Sequence, residues 1–432
     1  MFKSLYQKIN ISKILFTALF LRLISWPWTY HGDVNATYWW GRFASEFNWR
    51  GFYDWLNFGG HAYPDQPMLN IYYDWFIRQI YLFFYNIFWY LNTHISVFPS
   101  NFMQWYFLNG NQYLLKLPMI LADILLVYFC YKFTKSKKIA LVLALFPPLI
   151  YNSAVWGSGD SIIILFALLA LYLFRKEKYL LAIFLYTLSV LYKSSLLIWF
   201  PIIMVILVKN KISFKKILLS IISILILIYL ISFRFNPVEI NPILWFFSTM
   251  FNKVLPGIMD QVTANAMNFW AIIYTFKPTL DGYQLLNFIS LRQLSLFICL
   301  LLYIYQIRKL LKNYSLNNLL LTLATISLTT FTFMTRMHER YTLPALIPLL
   351  LLSYYDRRFT KYFILFTLTH IINVYGVWGV PNIVFIKNIL NNDFFIRFVS
   401  LLNTLLSLKL IFFNLKIKNT ESHQSSPTPP KG

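Results

Sequence analysis

Apolar runs long enough to cross a membrane recur from residue 13 to beyond residue 400, and short clusters of lysine and arginine punctuate them. The clusters are Lys3/Lys8/Lys13, KFTKSKK (132–138), RKEK (175–178), KNKISFKK (209–216), RKLLK (308–312), DRRFTK (356–361) and Lys416 with Lys418. A bilayer offers the backbone no hydrogen-bond partners, so unbroken runs of this kind specify helices that satisfy themselves. The pattern predicts an all-α polytopic membrane protein. Residues that are 58% hydrophobic and only 12% charged agree with that class. In a soluble chain, 38 Lys and Arg against 15 Asp and Glu would point to nucleic acid. Here the excess is explained by retention of positive charge on the cytoplasmic side, and no nucleic-acid partner is expected.

If every basic cluster is cytoplasmic, an even number of crossings must separate neighbours. Between Lys13 and Lys132 lie three apolar runs, 13–30, 68–92 and 113–131, one too many. The middle run carries Asp74 and Arg78 and is dense in Tyr and Trp, so it is assigned to an interfacial helix within a first outer loop, 31–112. The interval 180–208 must go out and return. Helix rising ~1.5 Å per residue gives it ~43 Å, so the pair is short and turns near YKSS (192–195), leaving Lys193 below the outer surface. The count is about twelve spans with both termini cytoplasmic. The first span is basic at its start, lacks a small-residue cleavage site and is read as uncleaved. A single transmembrane domain covers 1–418, with a second large outer loop at 234–287, and the polar, proline-rich 419–432 is a disordered cytoplasmic tail. Cys130 and Cys299 fall in apolar runs as packing residues, and Arg22, midway along the first span, is expected to pair with Asp123 or a lipid phosphate.

On this topology the polar clusters that solubility does not explain share the outer side. They are Asp33 in HGDVNATYWW, YPDQP (63–67), WGSGD (156–160), YKSS, NAMNFW (265–270) and MHERY (337–341). Convergence on one face marks a site. The YWW after Asp33 is expected to form a low-dielectric wall that lifts its pKa and suits it to proton abstraction. WGSGD reads as a turn opening a helix, with Asp160 at the positive end of the dipole. The run after MHERY, Leu343 to Tyr355, has only 13 residues, so to span ~30 Å the helix is expected to begin near His338 and submerge His338, Glu339 and Arg340. The plain alternative is a Glu339/Arg340 pair anchoring a helix start, with Tyr341 in the interfacial belt. Arg340 offers a planar fork for phosphate oxygens, His338 can donate to the same group, and Lys193 is a second phosphate contact. The aromatic content, 20%, fits interfacial belts and also sugar recognition.

Taken together, these motifs resemble the GT-C superfamily of multispan glycosyltransferases, in particular bacterial proteins similar to the glycosylphosphatidylinositol mannosyltransferases and the dolichol-linked glucosyltransferases. The likeness rests on Asp33 after the first span, Tyr63-Pro64, WGSGD, NAMNFW and MHERYTLPAL. It implies a GT-C-like fold and an inverting transfer of a hexose, mannose or glucose, from a polyprenyl-phosphate sugar. The acceptor would be a lipid, glycan or protein of the cell envelope, on the outer face of the plasma membrane. It implies that Asp33 is the general base and that His338 and Arg340 sit by the donor phosphate. Trp156, Asp160, Glu339, Tyr341, Tyr63 and Pro64 then bind substrate, and Asn265 and Asn268 approach a sugar. No cofactor or metal is implied, and the sequence has no HExxH or Cys/His ligand spacing. Two departures stand out: the family pattern near Tyr63 usually reads YPPL where this chain has YPDQP, and Ser158 replaces a common Gln.

Two rival readings have distinct signatures. A transporter or lipid flippase would use Arg22, Lys193 and Asp123 as a path, but no inverted repeat is evident and charge gathers at one face. An O-antigen ligase or polymerase would use a pyrophosphate donor and a loop histidine, for which His61 and His94 are the candidates in the first loop.

Overall fold

A computed structural model describes residues 10–54, 63–285 and 288–415. The expected tail, His61 and the basic residues Lys3, Lys8, Lys416 and Lys418 lie outside the described residues.

Helix α1 (Ile11–Ser25) stops at Trp26-Pro27, and α2 (Gly32–Glu46) starts after His31, whose Nδ1 accepts from the Asp33 amide at 3.1 Å. Prolines also set the starts of α3 (Met68–Ile95, after Pro67) and α4 (Ser100–Thr134, after Pro99). These two helices form an antiparallel hairpin, with Tyr81 stacked on Tyr106 at 5.2 Å and Phe88 against Phe102 at 5.6 Å. Both are longer than the apolar runs predicted. The polar NGNQ (109–112), which reads as loop, lies inside α4 with Asn111 and Gln112 buried. At ~1.5 Å per residue α4 is ~52 Å long, so it outruns a ~30 Å hydrocarbon core. Its first turns pass the end of α1, where the Trp26 indole donates to the Tyr113 carbonyl at 2.8 Å. The far part of this arm turns Phe83, Trp89, Tyr90 and Phe107 outward. Its near part packs on α2 so closely that a Cβ at Gly41 would lie 2.5 Å from the Asp74 carbonyl oxygen.

The chain continues through α5 (Lys137–Ala144) and α6 (Pro147–Trp156), which meet at a 45° bend, then α7 (Asp160–Arg175) and α8 (Tyr179–Tyr192). It turns at Lys193 into α9 (Ser194–Lys209), as the length argument required, and the Tyr186 hydroxyl donating to the Leu196 carbonyl at 2.9 Å shows it doubling back. Then follow α10 (Phe214–Ser232), α11 (Pro242–Thr249), α12 (Phe269–Tyr274), α13 (Leu291–Lys312), α14 (Leu316–Phe333), α15 (Leu343–Tyr355), α16 (Thr360–Val377), α17 (Val384–Leu390) and α18 (Asp393–Ile411). The protein is predominantly helical, and among the described residues five helices (α4, α10, α13, α14, α18) are long and apolar enough to cross a membrane, six if α5 and α6 form one broken span. Burial sorts them: the apolar window of α14 is 83% buried and central, whereas those of α10 and α13 are 17% and 22% buried, leaving Leu, Ile and Phe faces that suit lipid.

A buried ion pair ties the first half of the bundle. Arg22 Nε lies 2.6 Å from Asp123 Oδ2 with both side chains fully buried, and Ser153 and Ser161 also donate to that carboxylate. Arg22 Nη1 bonds the Ala18 and Ala144 carbonyls, so one network joins α1, α4, α5, α6 and α7.

The basic turns gather at one end of the bundle. The Tyr354 hydroxyl bonds the Thr134 carbonyl, Lys309 reaches the Ile411 and Phe413 carbonyls, and Tyr314 faces Asn210 and Arg175. The opposite ends of the same helices carry Trp156, Lys193 and the MHERY segment.

That segment departs from the expectation of a helix beginning near His338. Helix α15 starts at Leu343 with Pro344 in its first turn, and β4 (Met337–His338) pairs in parallel with β1 (Thr263–Ala264). Ladder pairing and the fixed φ of Pro344 leave His338 to Thr342 outside the helix. A second pair, β2 (Gln284–Leu285) with β3 (Ile289–Ser290), closes the loop before α13.

Candidate active site

The start of α2 is fixed from below. The Lys116 ammonium bonds the Trp26 and Thr29 carbonyls at 2.6 and 2.7 Å, and the His31 amide donates to the Trp156 carbonyl at 3.0 Å. Gly157 follows with φ +88°, and a Cβ there would lie 2.5 Å from Val34 Cγ2, so only glycine lets the WGSGD turn close on α2. These contacts deliver Asp33 to Trp156. The indole Nε1 donates to Asp33 Oδ2 at 3.1 Å, and the His31 ring stacks on Trp156 at 3.9 Å with Trp378 edge-on at 5.1 Å.

Arg340 meets the same carboxylate. Its Nη2 lies 3.0 Å from Asp33 Oδ2, its Nη1 2.8 Å from Glu339 Oε1, and its Nε 3.8 Å from Asp160 Oδ2. The guanidinium lies over Trp156 at 5.2 Å and Tyr341 at 5.7 Å. Lys193, from the turn between α8 and α9, reaches Asp160 Oδ1 at 2.5 Å, and the Ser158 hydroxyl donates to Asp160 Oδ2 at 3.0 Å. His338 is edge-on to Tyr341 at 5.2 Å, with Nδ1 3.8 Å from Glu339 Oε2. The folded chain thus brings Asp33, Trp156, Asp160, Lys193, His338, Glu339, Arg340 and Tyr341 into one cluster.

Several expected roles change. Burial pushes the Asp33 carboxyl up, but Arg340, His31 and Trp156 together outweigh it and hold the group well below the usual carboxylate range, not above it as the YWW wall implied. Trp40 of that motif turns into the core, and the indole beside Asp33 is that of Trp156. Glu339 is 2% exposed and its carboxylate faces Arg340 and His338; burial raises its carboxyl, those two neighbours bring it below its ordinary value, and it orients both. Asn268 is fully buried: its side chain accepts from the Trp270 and Ala271 amides and donates to the Phe331 and Met334 carbonyls, so it caps α12 and holds the end of α14. Asn265, at φ +64°, pairs its backbone with His338, while its carbonyl accepts from Asn373 at 2.8 Å. Tyr63 donates to the Tyr53 carbonyl and Pro64 is buried, so both shape the loop that carries Asp65.

Asp65 and two further residues escaped the sequence reading. Burial raises the Asp65 carboxyl against the pull of Gln66, Lys193 and His338, and Asp33 lies within its electrostatic range, which makes it a second carboxylate of opposite character. The departure of YPDQP from YPPL was the available signal. His31 adjoins Asp33 in sequence, but nothing local announces the stacking on Trp156. Arg336, at φ +65°, bonds Asp281 at 2.6 and 2.9 Å and the Pro256 carbonyl at 2.7 Å, so it clamps the 234–287 loop against MHERY. His94 lies at the far end of α3, roughly 40 Å along the helix from its first turn. Among the described residues no group of three or more His, Cys, Asp and Glu side chains is placed to hold a metal ion.

No family model matches the sequence, and no curated protein matches it either.

Proposed function

We propose that the protein is a GT-C-like membrane glycosyltransferase that moves a hexose, mannose or glucose, with inversion, from a polyprenyl-phosphate sugar to a lipid-linked or other cell-envelope acceptor. The observation that carries this reading is the meeting of Asp33 and Arg340 at 3.0 Å, with Lys193 and His338 alongside. A carboxylate at an outer helix start and a cationic pocket at head-group depth are what a lipid-phosphate donor and a hydroxyl acceptor require. In the reaction the acceptor oxygen attacks the anomeric carbon and its proton passes to Asp33. The bond from that carbon to the phosphate oxygen breaks, and the electron pair leaves with the lipid phosphate. Arg340, Lys193 and His338 face the charge that builds there.

The basic end of the bundle is placed in the cytoplasm and the cluster on the outer face of the plasma membrane, with both termini inside. About twelve spans then require α1, α7, α8, α9, α15 and α16 to cross as well as the six. The outward aromatic side chains of the α3–α4 arm suit the interface. A transport path has less support: Arg22 and Asp123 are locked together in a network that already uses the serines around them. The test is transfer by purified protein supplied with radiolabelled polyprenyl-phosphate hexoses, comparing wild type with Asp33→Asn. Transfer that survives the substitution at an unchanged rate removes Asp33 from the role of base.

A further inference from the structure

We propose that Asp33 is the internal occupant of the anion seat on Arg340, so that a donor phosphate must displace it and the base is freed only when the donor is loaded. The inference rests on the glycosyltransferase reading and concerns the order of events within that site.

The guanidinium is the fixed partner. Its side chain is 11% exposed, Glu339 at 2% exposure holds Nη1, and the rings of Trp156 and Tyr341 confine its plane. Asp33, 43% exposed at the start of α2, is the partner able to move. Its carboxylate engages Nη2 through one oxygen, while the buried Arg340 Nε has no hydrogen-bond partner and stands 3.8 Å from Asp160. A phosphate can place one oxygen on Nη2 and another on Nε, satisfying both donors of the fork where Asp33 satisfies one. The exchange is therefore downhill for a buried donor left unpaired.

A carboxylate bonded to a guanidinium is a poor proton acceptor, because its lone pair and charge are both engaged. Arg340 is the first of the influences that hold the Asp33 carboxyl low once burial is overcome. Displaced from it, Asp33 still has the Trp156 indole N–H, which donates to Oδ2 at 3.1 Å, to hold it at the site as its basicity rises. The donor thus switches on the group that activates the acceptor, and an acceptor arriving first meets an idle base.

The consequence is opposite to that of losing an ordinary site residue. Removing the carboxylate removes a competitor, so a variant that cannot transfer should bind the lipid phosphate more tightly. The experiment measures binding of undecaprenyl monophosphate to the full-length protein in detergent for wild type, Asp33→Asn, Asp33→Ala and Arg340→Met. The expected result is binding about threefold to tenfold tighter in both Asp33 variants, at the low end because the pair is partly screened, and loss of binding in Arg340→Met. Wild-type binding that Asp33→Asn and Asp33→Ala leave unchanged or weaken overturns the displacement. If wild type binds no polyprenyl phosphate, or Arg340→Met binds it equally well, the donor site itself is wrong and the functional reading falls with it.

Discussion

Lys193 and Asp160 offer the sharpest separation of a structural role from a catalytic one. Their charged atoms lie 2.5 Å apart with side chains 10% and 6% exposed. Breaking a buried pair from one side costs roughly 3–5 kcal/mol, because the remaining charge is stranded. In Lys193→Met, Asp160 keeps the Ser158 hydroxyl at 3.0 Å and Arg340 at 3.8 Å, which places the expected loss near the lower bound, about 3 kcal/mol. With an unfolding entropy of about 2.1 cal/mol/K per residue over 432 residues, that is a fall of roughly 3 °C in the thermal midpoint. Asp160→Asn strands Lys193 in the same way. The double variant Lys193→Met/Asp160→Asn strands neither and should recover most of the stability. Transfer should behave differently, because Lys193 is proposed to face the donor phosphate: it should fall in Lys193→Met and stay low in the double variant. Thermal unfolding in detergent and the radiolabelled transfer assay read the two effects separately. A double variant less stable than the sum of the singles refutes the pairing argument, and one that regains full transfer refutes the phosphate contact.

Two further outcomes follow from the same geometry. The Asp65 carboxyl is raised by burial, so the folded protein holds its proton more readily than the unfolded chain; its destabilising effect is absent below the unfolded pKa of about 4 and fully present above the raised folded value. Asp65→Asn should therefore raise the thermal midpoint at pH 7.5 and leave it unchanged near pH 3, and a scan that shows the reverse order contradicts the assignment. Asn268→Ala removes a helix cap and two buried donor bonds, so we expect a loss of about 2–3 kcal/mol in unfolding together with reduced transfer, since Asn268 fixes the end of α14 from which MHERY departs. Normal transfer in that variant would detach NAMNFW from the site.

How much of this could be read from residues alone depended on what each inference needed. That the greasy runs are helices follows from composition, since lipid leaves an apolar segment no choice but a helix, and the short 180–208 interval forced a turn at Lys193 that the fold contains. That Arg22 needs a partner was legible as well, because an isolated charge in an apolar run cannot stay alone, and of the two partners expected, Asp123 or a lipid phosphate, the fold supplies Asp123. Residues 109–112 misled because polarity marks a loop only where water is the neighbour, and inside α4 the neighbours are protein. The start of α15 misled because a span-length argument knows nothing of the strand that holds Met337 and His338.

The sequence by itself determined that this chain is a membrane bundle with its basic turns apart from its acidic motifs, because hydropathy and charge are properties each residue carries with it. Which carboxylate meets which cation was decided only in three dimensions. Asp33, Asp65, Asp160 and Glu339 look alike along the chain. The fold makes one a partner of Arg340, one a raised acid, one the mate of Lys193 and one a buried support. Their difference is one of distance and solvent, which no residue encodes alone.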